Sequence, residues 1–506
     1  MTRPANLFSR EDWTADRALE CDVVVVGSGA GGAVMAAELA EAGLDVIVVE
    51  EGGYHPTSEL THETTKMVRM LHRDGGASVS VGSPPIAFQE GCAVGGSTVV
   101  NGGMLWRTPE KILERWRRED SVEAIRPAEM ERYFERVERR ISARHQDPWT
   151  IGRDNQLLKD GADKLGWKVL PNIRNQLHCA GSNNCAFGCP TGAKRSTLVT
   201  YVPRALHFGA RLYADCRVDR VMMRDGCAVG VAGHVVAGNG AAAQQFTVRA
   251  KAVVAAAGAM QTPALLLRSG VRSPSGRIGR NLSMHPNVKV IARFDEAVEG
   301  WKGVHQAFQV REFQDEGFLF AAVNIPPSIV SLGSPMWGDA LGELLFDYNH
   351  LVTAGMLLED SVTGRVRLGL GGQPLAFYSM SDFDALRLVR GCALLCELLF
   401  SVGATRIVLP FEGAPDLRSI DDVRGLFSRP IDKRGFEVMT VHMMGTCAIG
   451  EDPARHVCDS YGAVRGSEGL YVADASLFPS PIGVNPMETI MALATRNAER
   501  LLERWS

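Results

Sequence analysis

The chain has 506 residues, a net charge of −4 and 45% hydrophobic content. That length fits two domains or one elaborate one around an ample core. The mixed charge gives no reason to invoke nucleic acid or an acidic membrane surface as a partner. No apolar run approaches a membrane span, and the first twenty residues show no secretory h-region. The eleven cysteines, odd in number, then suggest reduced thiols in a cytoplasmic protein, unless a partner subunit carries it across a membrane.

Cys21 to Gly53 reads CDVVVVGSGAGGAVMAAELAEAGLDVIVVEEGG. Val23 to Val26 is a short apolar run suited to a buried strand, Gly31 to Ala42 has helical character, and Asp45 to Val49 is a second strand. Between the first strand and the helix, Gly27, Gly29 and Gly32 supply a G-x-G-x-x-G spacing. The pattern predicts a βαβ dinucleotide-binding unit. Gly27 permits the tight turn, Gly29 lets backbone N–H groups approach a pyrophosphate at the helix N-terminus, and Gly32 allows close helix–strand packing. Glu50, at the end of the second strand, is placed to accept ribose hydroxyls; Glu51 reads as its solvated neighbour. On these residues alone, NAD and FAD both remain open.

Gly91 to Gly103 holds five glycines in thirteen residues and predicts a buried loop beside a flat ligand. Residues 108 to 145 read as charged, solvated helices. Next, His178 to Lys194 gathers three of the eleven cysteines within eleven positions, Cys179, Cys185 and Cys189. Its Gly and Asn content suits a loop around a small inorganic core. Thr200 to Leu206 is expected as helix, Ala210 to Arg217 as strand, Val218 to Val248 as a β-ribbon, Ala252 to Ala257 as a buried strand and Gln261 to Ser269 as helix. From 290 to 440, alternating stretches (Lys289 to Phe294, Phe318 to Val323, Arg365 to Leu370) predict an antiparallel sheet under a long helix, Asp384 to Phe400. The last part holds His442-Met443-Met444-Gly445-Thr446, a strand Leu470 to Ala473, Asn485-Pro486-Met487-Glu488-Thr489 and a closing helix, Glu488 to Trp505.

Taken together, GSGAGG with Glu50, GCAVGGSTVVNGG, GAMQTPALLLRSG, GRNLSMHP, HMMGT and NPMET resemble the glucose–methanol–choline (GMC) oxidoreductases over nearly the whole chain. The resemblance implies an α/β fold, α+β overall. A Rossmann-like FAD-binding domain (1–107, 179–288 and 439–506) would carry the cysteine loop 178–194, and a substrate domain built on an antiparallel sheet would take 108–178 and 289–438. It implies FAD in place of NAD, and oxidation of an alcohol by hydride transfer to flavin N5. His442 would be the base, its pKa class suited to that role, and Asn485 would bind or position the substrate oxygen. Gly95, Gly96 and Asn101 would lie along the flavin, Val218 would present backbone to adenine, and Asp474 and Ala475 would lie near the pyrophosphate and ribityl chain. Some members attach FAD through a histidine in the Gly-Gly loop; Val100 stands there, so FAD would be held non-covalently.

The cysteine segment resembles the cluster segment of flavin-linked sugar dehydrogenases of this family, and implies a [3Fe–4S] centre on Cys179, Cys185 and Cys189. Zinc would want a fourth ligand, and His178 next to Cys179 offers poor geometry. Unligated or disulfide-bonded cysteines are the remaining reading. A cluster would favour a dehydrogenase that passes electrons to a cytochrome, quinone or small subunit. Its alternatives are an oxygen-using oxidase and, remotely, an FAD-containing lyase. Phe308, Phe318, Phe320, Met336, Trp337, Phe346, Tyr348 and Met356 are candidates for an apolar cavity, which would favour a hydrophobic or aromatic alcohol over a sugar. Other histidines, including His285 and His178, read as structural or surface residues.

Overall fold

The computed structural model describes residues 3–238, 240–426 and 432–505. The βαβ unit forms as the sequence predicts: strand Arg17–Val26, helix Gly32–Glu41, strand Val46–Val49. Val23 to Val26 and Val46 to Val49 are all buried, which explains why they read as continuous apolar runs: both faces of a parallel sheet are covered. In that sheet the strand order is Leu7–Phe8, Arg211–Tyr213, Val46–Val49, Arg17–Val26, Ala242–Ala255, Cys227–Val236, Cys216–Arg224, with Leu470–Val472 also pairing Ala242–Ala255. Pairing is parallel as far as Ala242–Ala255 and antiparallel beyond it. The expected β-ribbon is thus two hairpins that fuse into this sheet. The expected separate strand Ala252 to Ala257 is the end of their last member.

The carboxyl ends of Arg17–Val26, Ala242–Ala255 and Leu470–Val472 converge on the glycine turn. Gly27 takes φ +100°, and a Cβ there would stand 2.4 Å from the Ala256 carbonyl oxygen. A Cβ on Gly31 would stand 1.6 Å from the Ala473 carbonyl oxygen, and one on Gly32 would stand 2.1 Å from that of Gly27. Gly29 differs: its Cβ would meet only the Gly96 Cα, at 3.9 Å.

The second sheet is large and mostly antiparallel, ordered Ser78–Val79, Ile86–Phe88, Val438–Thr440, Asn287–Arg293, Leu351–Leu358, Phe318–Ala322, Phe308–Val310, Val169–Pro171. Arg406–Val408 pairs the far half of Asn287–Arg293. Behind it lies helix Asp382–Ser401, capped where Ser381 accepts the Asp384 N–H. Side chains alternate across this sheet. Phe318, Phe320, Val288, Val290 and Met356 enter the core shared with the helix, while Leu319, Ala321, Asn287 and Gly355 turn to the other side. Arg365 to Leu370 departs from expectation: strand Gly364–Leu368 joins a small sheet with Arg280–Leu282 and Pro374–Phe377. Helices Glu110–Glu119 and Pro127–Arg140 are not simply solvated, because Trp116, Met130 and Phe134 enter the core of the first sheet. Among the described residues, no helix is long and apolar enough to cross a membrane.

The glycine contacts make a direct expectation. Gly31→Ala should cost roughly 1–3 kcal/mol of stability, the usual range for overpacking, because backbone has to move. Gly29→Ala should leave the thermal midpoint of the unliganded protein nearly unchanged. Differential scanning calorimetry of both variants checks the contrast.

Candidate active site

A cavity of about 310 Å³ runs from the glycine turn to the face of the second sheet that turns away from helix Asp382–Ser401. Its walls include Gly27, Ser28, Gly29, Gly31, Glu50, Glu51, Gly96, Asn101, Val218, Asp474, Ala475, His442 and Asn485. Eight of the ten residues predicted to hold the cofactor therefore border it. Gly32 and Gly95 stand behind the wall. Gly32 packs helix on strand, as expected; Gly95, at φ +98°, donates its N–H to Ser28 Oγ at 2.9 Å.

At one end, Glu50 is buried. Its Oε2 accepts from Ser28 N–H (2.9 Å) and Ser28 O–H (2.7 Å), and its Oε1 accepts from Gly52 N–H (2.9 Å). Burial raises its pKa, and the bonds from Gly52 and Ser28 oppose the rise. Glu51 is no solvated neighbour. It forms a two-pronged pair with Arg73, at 3.0 and 2.9 Å. Burial would raise its pKa, but the Arg73 guanidinium holds the carboxyl below its ordinary value. Asp474 Oδ2 accepts from Gly258 N–H (2.9 Å) and Thr262 O–H (2.5 Å), and its Oδ1 accepts from Ser476 N–H (2.8 Å).

These features fit a dinucleotide. Helix Gly32–Glu41 directs its N-terminus toward the cavity, where backbone N–H groups and the helix dipole favour a diphosphate. The Gly29 position is left open by the absence of a side chain, and two carboxylates close the two sides.

At the other end, His442 follows strand Val438–Thr440. Thr440 Oγ1 accepts the His442 N–H (3.1 Å) and itself donates to the Met284 carbonyl. This ties the loop to the connection that leads into strand Asn287–Arg293. Asn485 Nδ2 lies 3.5 Å from His442 Nε2, and Gln309 Nε2 donates to Asn485 Oδ1 at 3.3 Å. The row Gln309–Asn485–His442 fits Nε2 as the acceptor nitrogen. Burial lowers the His442 pKa to about 4, so the imidazole is neutral at ordinary pH. His285, read from sequence as structural, meets the His442 ring edge-on, with centroids 5.6 Å apart. Its Nε2 accepts the Gly483 N–H at 3.2 Å. Burial, and secondarily His442, lowers its pKa well below the usual value. Gln309 carries no motif signal of its own; His285 belongs to the GRNLSMHP segment, but only the fold sets it against His442.

None of the eight apolar residues proposed for the cavity borders it. Phe318, Phe320 and Met356 occupy the core face of their strands, and Trp337 and Phe346 are exposed. The cavity side of the same sheet is formed by Leu319, Ala321, Val323, Gly355 and Leu357.

The expected iron–sulfur site finds no support. Among the described residues, no group of three or more His, Cys, Asp or Glu could hold a metal ion. Cys179, Cys185 and Cys189 each have separate partners. Cys179 Sγ accepts the Gly181 N–H (3.4 Å), Cys185 Sγ accepts from the Arg174 guanidinium (3.3 Å), and Cys189 Sγ accepts the Lys194 N–H (3.4 Å). All three are free thiols. The loop is secured on the buried Lys194 ammonium, which donates to the carbonyls of Val99 (2.7 Å), Asn101 (2.8 Å) and Cys185 (2.5 Å). Burial lowers the Lys194 pKa to about 8.

Family comparisons agree with this geometry. A family model described as GMC oxidoreductase matches residues 68–287, and another with the same description matches 378–494. The chain belongs to the GMC oxidoreductase family. An FAD binding domain model matches residues 22–58, the glycine turn and Glu50, so the dinucleotide is FAD. The uncharacterised GMC-type oxidoreductase y4nJ of Sinorhizobium fredii is 36% identical over 491 residues, covering 96% of each chain. Long-chain-alcohol oxidase FAO4B of Arabidopsis thaliana is 28% identical over 519 residues, covering 96% of this chain and 68% of its own. Among solved structures, pyridoxine 4-oxidase from Mesorbium loti shares the fold. Its TM-score is 0.73 at 17% identity, over 96% of this chain and 99% of that one.

Lys194 tests the account of the cysteine loop. Lys194→Met leaves three buried carbonyls without a donor, each such loss worth about 1–3 kcal/mol. The variant should lose on the order of 3 kcal/mol or more in chemical denaturation, whereas Cys189→Ser should lose less than half as much.

Proposed function

We propose that this flavoprotein oxidises an alcohol to the corresponding carbonyl compound, with His442 as the base and Asn485 holding the substrate oxygen. The observation that carries the reading is the neutral, oriented Nε2 of His442 facing the cavity beside Asn485. Bound FAD supplies the acceptor for the hydride at its N5 position. The chain's own residues do the rest. Gln309 orients Asn485, Asn485 donates toward the oxygen-binding point, and Nε2 takes the hydroxyl proton. Thr440 fixes the histidine's backbone, and His285 limits the ring's swing. The ADP end rests on Gly27, Gly29, Glu50 and Val218, and the middle on Gly96, Asn101, Asp474 and Ala475, without a covalent link at Val100. The first sheet is the core of the nucleotide-binding part and the second sheet that of the substrate part. The apolar wall Leu319, Ala321, Val323 and Leu357 supports an alcohol with an apolar body.

In this reading oxygen is the electron acceptor. The external-carrier reading leaned on an iron–sulfur relay, for which no ligand group is assembled among the described residues. FAO4B, over its whole matched length, is named an oxidase. Turnover with an apolar primary alcohol should yield one hydrogen peroxide per carbonyl formed. Turnover that requires an added quinone or cytochrome, without peroxide, would restore the dehydrogenase reading.

Removing the base should slow anaerobic flavin reduction by about 10²–10⁴-fold in His442→Ala, with flavin content retained. The pH dependence follows from the lowered pKa. Nε2 accepts a proton only while neutral, so the reduction rate should stay flat from pH 8 down through 6.5 and fall only toward about 4. A decline centred near pH 6.5 would contradict burial as the controlling influence.

A further inference from the structure

On the cavity side of the second sheet one side chain is out of character. Strand Asn287–Arg293 alternates, with Val288 and Val290 fully buried in the core and Asn287 and Lys289 on the opposite face. Asn287 borders the cavity, and so does Gly355, the residue paired directly with Lys289. Around this point the wall is apolar: Ala321, Val323 and Leu357. The Lys289 ammonium touches only the thioether of Met439. Among the described residues it has no carboxylate, carbonyl or hydroxyl partner. Lys194, by contrast, has three carbonyls. His305, whose pKa the Lys289 charge also lowers, is itself held neutral, chiefly by burial and then by Arg174, with a pKa of about 3.

A deeply set cation without an acceptor is costly. Burial brings the Lys289 pKa down to about 8, so the ammonium form still predominates at neutral pH. Lys289 does not itself border the cavity, but its strand neighbour Asn287 and its pair partner Gly355 do, so the charge is left to an anion that arrives with the substrate. A carboxylate matches it best: one negative charge, with oxygens that accept from a single ammonium. Val438–Thr440, which leads to His442, lies beside Asn287–Arg293, with Met439 opposite Asn287. The carbinol and the charge are therefore bound on adjacent strands, and an apolar linker between them would lie on the Leu357–Ala321 surface.

We propose that Lys289 is a specificity-determining residue that binds the carboxylate of a hydroxy acid, whose hydroxyl carbon is presented to His442 across an apolar spacer. This rests on the alcohol-oxidation reading and narrows its substrate class. It involves no chemical step of its own.

The test uses the flavin-loaded full chain and a series of ω-hydroxyalkanoates of increasing length, each paired with its methyl ester. The expected result is an acid-to-ester ratio of kcat/KM above tenfold at the best chain length, residing in KM. Lys289→Met should bring the ratio to about one, and Lys289→Arg, which keeps the charge, should restore most of it. A merely structural lysine would not move that ratio. Equal efficiency on acid and ester in the wild-type protein, or an unchanged ratio in Lys289→Met, would overturn the proposal. A second measurement separates the two readings. Alkanoates without a hydroxyl should perturb the flavin absorbance of wild-type protein at concentrations at least tenfold lower than in Lys289→Met. If that difference is found while no alcohol bleaches the flavin anaerobically, the carboxylate site stands and alcohol oxidation falls. If alcohols bleach the flavin but alkanoates bind both proteins alike, the reverse holds. Should Lys289→Met fail to fold, a wild-type ratio near one still overturns the proposal, and a ratio above tenfold that Lys289→Arg keeps supports it.

Discussion

The Ser28–Glu50 contact organises the nucleotide end of the molecule. Ser28 gives both its N–H and its O–H to one carboxylate oxygen, and its hydroxyl oxygen receives the Gly95 N–H. Three pieces of chain far apart in sequence thus meet on two side chains: the glycine turn, the end of strand Val46–Val49 and the Gly91–Gly103 loop. Charge-assisted bonds to a buried carboxylate are among the stronger ones available to a protein. Here they fix the distance between the phosphate turn and the loop that runs along the cofactor. Glu50 was expected as a ribose acceptor. It also works as the pin of its own turn, with acceptor capacity still facing the cavity.

The opposite end depends on a different device. A strand ends at Thr440, and the hydroxyl of that residue converts a free chain end into an anchored loop carrying His442. From there Asn485 and Gln309, on separate segments, complete one row of polar groups in an otherwise apolar wall. Burial then sets the protonation state. With water removed from around the imidazole, the neutral form is favoured, and a neutral imidazole is the form able to accept a proton. Fold and chemistry meet in this single consequence of dehydration.

The βαβ unit, the long helix Asp382–Ser401 and the HMMGT and NPMET segments were legible in the sequence because each has a strong local pattern: continuous valines, a helical period, glycines at fixed offsets. The cavity wall was not. Phe318 and Phe320 attract attention in a sequence, yet alternation sends them to the core and exposes their smaller neighbours Leu319 and Ala321. Which face is which depends on the side that helix Asp382–Ser401 covers, and alternation alone does not say that. The cysteine segment misled for another reason. Spacing reports which ligands are near one another along the chain but says nothing of what stands among them. Lys194, five residues after Cys189, marks only the end of the segment in the sequence, and its three carbonyl acceptors come from the fold. Glu51 likewise looked solvated because its partner Arg73 arrives from a separate helical turn. Lys289 escaped notice entirely, since a lysine in an alternating strand suggests solvent.

The parallel sheet has a consequence for how the protein comes into being. Strands Arg17–Val26 and Val46–Val49 emerge early from the ribosome, but Leu470–Val472, which places Ala473 against Gly31 and leads to Asp474, emerges more than 400 residues later. At ordinary elongation rates the interval is on the order of tens of seconds. During that time the nucleotide turn exists with one wall missing. Cofactor capture is therefore a late event in the life of the nascent chain, and the half-built sheet depends until then on its neighbours alone to stay out of unproductive pairings.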